Sequence, residues 1–292
     1  MRARLVRGLG EVVRGFPRPR PGRPGDPGWF GPGSLAWRIN AETVLLLGGG
    51  RALLMQIAHP LVAAGVADHS DFTREPFERL WRTVDAALTV VFGDTEQAAA
   101  AVERVTEVHR GVRGERGGRP YSALDPELLL WVHATLVDSS VAAYERFVGP
   151  LRPEELERYY AEMQRMGTAF GIPPELHPPT YRDFVAYLEA AISGLRIGEE
   201  SRRLAREVLS PPAPLVLLPL GLLSGLVSVG LLPARIRRDL GLRWGPGAAR
   251  AFEAASAAIR RAVPLLPDRV RRWPHAREAE RRVGTAAATV AR

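Results

Sequence analysis

The chain has 292 residues, 46% hydrophobic and 25% charged, enough for a packed core in one large domain or two small ones. It has no cysteine, which excludes disulfides, iron–sulfur clusters, thiolate-bound haem and cysteine-based zinc sites, so any metal would be held by histidine, carboxylate or tyrosine. The formal charge of +8 permits an anionic partner, but the basic residues gather at 2–23, 235–243 and 260–282; with no zinc-finger spacing and no basic-aromatic strip, nucleic acid is not expected.

Residues 1–16 read as a short basic helix with Leu5, Val6, Leu9, Val12, Val13 and Phe16 on one side, or equally as a frayed tail. It could dock on the body or touch an anionic membrane, and it lacks the apolar core and cleavage site of a secretory signal, so a cytoplasmic or membrane-peripheral protein is expected. Residues 17–33 are a Pro/Gly linker. Ser34 is a candidate N-cap. The run to Pro60 is too polar and too glycine-interrupted to span a bilayer, and reads as two buried helices broken near Gly48, Gly49 and Gly50. His59 stands at a helix end, and Asp68 to Thr73 reads as a loop carrying a solvated His69.

Residues 75–93 form an amphipathic pattern with Pro76 in the first turn and Gly93 as the stop. Arg79, Thr83, Ala86 and Val90 share one face. If that face is buried, the guanidinium needs an anionic partner, such as a cofactor carboxylate; a snorkelling arginine is the simpler alternative. The next helix, about 95–113, sets His109 on a stripe with Ala98, Val102, Val105, Val108 and Val112, so the imidazole is expected to point inward. An arginine- and glycine-rich loop, 111–122, follows. Asp125-Pro126 then opens a helix with Leu129, Leu130, His133, Leu136, Val137, Ser140 and Tyr144 on one face. Spacing alone leaves two readings for His109 and His133: satisfied core histidines, or imidazoles holding a metal or haem iron.

Helices are expected over 153–170, 180–194 and 199–209, with an exposed His177 in the proline-rich loop 171–179. The uncharged run 210–234 is long enough for a bilayer of about 30 Å, but Pro214, Pro219 and its small residues favour a buried or broken helix lining an apolar pocket. Two arginine-bearing helices, 246–263 and 268–282, precede a disordered tail. No strand alternation, dinucleotide fingerprint, phosphate loop or nucleophile elbow is found, so the expected fold is all-α in one domain.

Several segments together resemble the MpaB-type oxygenase family, which includes the rubber oxygenases. They are G-P-G-S-L-A-W-R-I-N-A-E, L-L-G-G-G-R-A-L-L-M-Q-I-A-H-P-L-V-A-A-G-V-A-D-H-S, V-H-R-G-V-R-G, Y-S-A-L-D-P-E-L-L-L-W-V-H-A-T-L and L-L-P-A-R-I-R-R-D-L-G-L-R-W, within about 30–245. The resemblance implies a haem b oxygenase with a globin-like helical core and a cofactor pocket, using dioxygen on an apolar, unsaturated or isoprenoid-like small molecule. In rubber oxygenases an H-x-x-V-R histidine holds the iron, which corresponds to His109. An arginine and a threonine four residues apart lie near the haem, corresponding to Arg79 and Thr83. Where a characterised member has a lysine that occupies the distal iron site, this chain has Arg82, a poor iron ligand. The export signal of secreted members is missing, so polymeric rubber is not the expected substrate.

The expected organisation is a basic segment and linker over 1–33, an oxygenase domain over 34–245, and C-terminal helices over 246–292 packed on it. His133 is a candidate near the cofactor, and His133 and His59 are alternative metal ligands. Two further functions stay open. One is a non-haem iron oxygenase using His59, His109 and His133 with Glu42 or Asp68. The other is a non-catalytic haem-binding or membrane-peripheral helical protein.

Overall fold

Capping residues set the helix starts. A computed structural model describes residues 16–69, 76–210 and 218–290, without the side chains at 76–79 and 285–290; the amphipathic reading of 1–16 lies outside it save for Phe16. Helix α1 (Leu35–Asn40) begins at Ser34, whose hydroxyl accepts the Trp37 N–H. A short 3-10 turn leads into α2 (Leu46–Gln56). Helix α3 (Pro60–His69) follows at a bend of 107°. Helices α4 (Pro76–Phe92) and α5 (Thr95–Gly111) form an antiparallel hairpin, its turn fixed by a capping box between Asp94 and Gln97. Helix α6 (Pro126–Phe147) starts at Asp125, whose carboxylate accepts the Glu127 and Leu128 N–H groups.

The remaining helices are α7 (Pro153–Ala169), α8 (Tyr181–Gly194), α9 (Glu199–Leu209), α10 (Leu218–Leu231), α11 (Ala234–Asp239), α12 (Pro246–Ala262), α13 (Asp268–Arg271) and α14 (Pro274–Val290). The fold is all-α in one domain, as the sequence suggests.

Several local expectations are corrected. The Gly48–Gly50 triplet does not break the chain; it lies inside α2. A Cβ at Gly48 would sit 3.0 Å from the Ala143 Cβ and the Ser139 carbonyl, and one at Gly50 would sit 2.1 Å from the Ser228 Oγ. These glycines let α6 and α10 press against α2, and the break comes instead at residues 57–59. Asp68 and His69 end α3 rather than standing in a loop. The loop at 111–122 contains a hairpin, β1 (Arg113–Arg116) against β2 (Arg119–Ser122), turned by Gly117 and Gly118 at φ +58° and +74°. Its residues are mostly exposed, so it lacks the alternation that marks a half-buried strand.

The main core gathers Leu54, Met55 and Ile57 with Trp131, Tyr159 and Phe184. A second cluster joins Trp37, Trp81 and Phe92 to Trp273 from the C-terminal segment. Helix α10 is not the buried helix expected: Val227 and Ser228 are covered, while Leu218, Leu220 and Leu222 are exposed. Among the described residues no single helix is long and apolar enough to cross a membrane.

Candidate functional site

His109 lies in the last turn of α5 and is half-buried. Val105 and Val112 are half-buried beside it, but Val108 is 68% exposed and leaves the predicted stripe. Burial lowers the proton affinity of His109, so its imidazole is neutral at physiological pH and can act as a ligand. The α4–α5 hairpin turns at Gly93-Asp94, and positions 79 and 109 each stand about fifteen residues from that turn. At a rise of about 1.5 Å per residue, the two positions lie at the same end of the hairpin.

The Arg79 side chain lies outside the described residues. Thr83 is on the exposed side of α4. The apolar face runs through Trp81, Val84, Leu88 and Val91 rather than through Thr83, although Val90 is fully buried as expected.

His133 is held differently. One ring nitrogen donates to the Met163 carbonyl, while Nε2 is enclosed and has no hydrogen-bond partner. With the proton on the nitrogen that faces Met163, a lone pair is left on Nε2. Desolvation, with His177 nearby, pushes its pKa down to about 4.

His177 corrects the sequence expectation. It is 8% exposed, and its ring meets that of His133 edge-on at 6.1 Å. The loop over 171–179 folds back because Gly167 leaves a notch on α7: a Cβ there would lie 2.6 Å from His177 Cε1 and 3.1 Å from His133 Nε2. The one legible signal was that glycine inside a helical pattern, a mark of close approach.

His59 sits in the bend between α2 and α3, its ring 6.2 Å from that of Trp131. Its Nδ1 is enclosed without a partner, and burial lowers its proton affinity. Trp131 and His133, two residues apart, point about 200° apart around α6. His59 and His133 therefore look onto different sides of that helix. His69 is exposed and bonds the Arg113 carbonyl.

The carboxylates considered for a non-haem site are engaged elsewhere. Glu42 is buried in a two-pronged pair with Arg271 at 2.7 and 2.9 Å. Asp68 accepts from the Tyr121 hydroxyl and from Arg116, both at 2.5 Å; burial, and after it the bond to Asp68, push the Tyr121 pKa up to about 12 against the opposing charge of Arg116. Among the described residues no three His, Asp or Glu side chains converge as a metal-binding group. A polar cleft of about 690 Å³ lies elsewhere, between the linker, the α4–α5 turn and α14; it contains His275 but none of His59, His109 and His133.

The sequence of residues 37–261 matches the family described as "ER-bound oxygenase mpaB/B'/Rubber oxygenase, catalytic domain". The chain belongs to this oxygenase family. Two similar relatives are the uncharacterised proteins Mb2261 of Mycobacterium bovis and Rv2237 of Mycobacterium tuberculosis. Each is 32% identical over 228 residues, which covers 74% of this chain and 88% of the relative. No solved structure matches it. Within the MpaB/rubber oxygenase domain fall all the candidates named above: His59, Arg79, Thr83, His109 and His133.

Three separate histidines have the chemistry of a single iron ligand, though they do not form one site. His59, His109 and His133 all have depressed proton affinities, and His59 and His133 each keep an enclosed ring nitrogen without a partner. Haem iron needs one such imidazole from the protein, because the porphyrin supplies four nitrogens. A non-haem facial site needs three converging side chains.

Proposed function

We propose that this oxygenase uses haem b and dioxygen on an apolar, unsaturated or isoprenoid-like small molecule, with His109 as the iron ligand. The observation that carries the reading is His109 itself: a neutral, half-buried imidazole in H-R-G-V-R, at the hairpin end that also carries Arg79. Haem, when bound, supplies the redox-active iron that activates dioxygen. The residue-level proposal is that one His109 nitrogen holds the iron and that Arg79 pairs with a propionate. Thr83 supplies a hydroxyl near the cofactor. His133, set on α6 beside Met163 of α7, is assigned a supporting role near the cofactor rather than a bond to iron. The oxygenase unit expected over 34–245, between 1–33 and 246–292, shares residues 37–245 with the family match, which runs on through α12 to 261.

Reconstitution of the purified chain with haem tests this. A Soret band with one iron per chain is expected, lost in His109→Ala and restored by added imidazole. Oxygen uptake with isoprenoid substrates should follow the band. Stoichiometric iron without porphyrin absorbance would favour the non-haem reading. A chain that binds neither haem nor iron would overturn both.

A further inference from the structure

The uncharged run that begins at Ser210 ends in a helix whose start is not covered. In α10, Leu218, Leu220 and Leu222 are 53%, 59% and 67% exposed. These positions do not share one helical stripe, so the first turns of α10 stand clear of the body. Helix α12 runs antiparallel to α10: Gly230 faces the Phe252 ring, and Leu223 packs in one cluster with Ile259. That pairing brings the exposed start of α10 beside the end of α12, where Leu265 is 83% exposed and Leu266 is also uncovered. Val270 on α13 is exposed as well. Isolated surface leucines are ordinary, but a cluster at one end of the molecule marks an interaction surface.

The charges around this cluster point to its partner. Arg260 and Arg261 close α12 immediately before Leu265, and Arg269 follows on α13. All three are exposed, and no carboxylate among the described residues pairs with them. The acid of that stretch, Asp268, faces Arg272 at 3.6 Å. Apolar side chains flanked by unpaired guanidiniums fit the boundary between acyl chains and phosphate headgroups better than an apolar protein groove, which would leave the arginines unmatched.

We propose that this end of the molecule docks on anionic lipid bilayers, with the leucines of 218–222 and 265–266 entering the interface and Arg260, Arg261 and Arg269 meeting headgroup phosphates. The assignment is independent of the haem reading and of residues 1–15.

Because the chain has no cysteine, single-cysteine labelling is direct. An environment-sensitive fluorophore at Leu220→Cys or Leu265→Cys should shift to the blue on phosphatidylcholine vesicles containing phosphatidylserine. It should shift little on phosphatidylcholine alone or in high salt, and a label at exposed Glu175→Cys should not respond. Full-length protein carrying Leu220→Glu with Leu265→Glu, or Arg260→Glu with Arg261→Glu, should co-sediment with the anionic vesicles about tenfold less. These positions are exposed, and unchanged circular dichroism verifies the fold. Vesicle binding that survives both double variants, as attachment through residues 1–15 would, overturns the proposal. A blue shift that grows with protein concentration without lipid also overturns it, in favour of self-association.

Discussion

At the scale of single residues, the histidines divide by what their second nitrogen does. His133 donates one nitrogen to Met163 and keeps the other enclosed and bare, whereas exposed His69 bonds a carbonyl at the surface. This has a pH consequence. The unfolded chain protonates position 133 near the ordinary value of 6.5, while the folded chain resists until about 4. A depressed histidine contributes stability that is complete above the unfolded value and is lost as pH falls toward the folded one. Over that window the slope is at most about 1.4 kcal/mol per pH unit for one group. Burial shifts His177 in the same direction. Urea titrations across the window should show stability falling with acid, and His133→Phe should flatten the fall whatever its effect on absolute stability. An unchanged slope in the variant would remove His133 as the cause.

At the scale of elements, the glycines of α2 give opposite expectations at neighbouring positions. Gly48 is buried against Ala143 and the Ser139 carbonyl of α6, so Gly48→Ala forces two packed helices apart, at a cost of about 1–3 kcal/mol. Gly49 is exposed with nothing within 4 Å of a Cβ, so Gly49→Ala should gain about 0.5–1 kcal/mol from reduced backbone freedom in the unfolded chain. Thermal melts should move in opposite directions; a shared direction would mean that helix propensity, not the crossing, governs this segment.

The same glycines mark where the sequence stopped being readable. Helix starts were legible because Ser34, Asp94, Asp125 and Thr180 cap through local bonds that depend only on neighbours in the chain. Whether G-G-G breaks a helix or seats two others depends on what crosses it, and no local pattern carries that. His177 was unreadable for the same reason: its burial is made by a notch on α7 and a ring on α6, not by its own loop. Periodicity correctly set Val105 and His109 on the same side of α5, yet misassigned Val108 and Leu136, because an apolar residue at a stripe's edge is covered only if a neighbour reaches it.

At the scale of the whole molecule, the family match ends at 261, but the fold does not. Trp273 completes the cluster around Trp37, Trp81 and Phe92, and its N–H bonds the Ala41 carbonyl. Arg282 on α14 then ties three distant stretches together. Its Nε donates to the Asp26 carbonyl at 2.8 Å, its Nη2 donates to the Phe92 carbonyl at 2.9 Å, and its own carbonyl accepts the Gly25 N–H. The linker, the α4–α5 turn and the C-terminal helix thus meet on one buried guanidinium, whose proton affinity is lowered by desolvation. Asp26 in turn accepts from the Thr95 N–H and hydroxyl at the start of α5, the helix that carries His109. Arg282→Met keeps most of the aliphatic stem but leaves two carbonyls without their donors, a loss of about 1–3 kcal/mol for each that stays buried and unsatisfied. Hydrogen exchange should therefore quicken in residues 22–28 and around 93–95, with the β1–β2 hairpin unaffected. If exchange rises uniformly instead, Arg282 acts on global stability and does not fasten this corner.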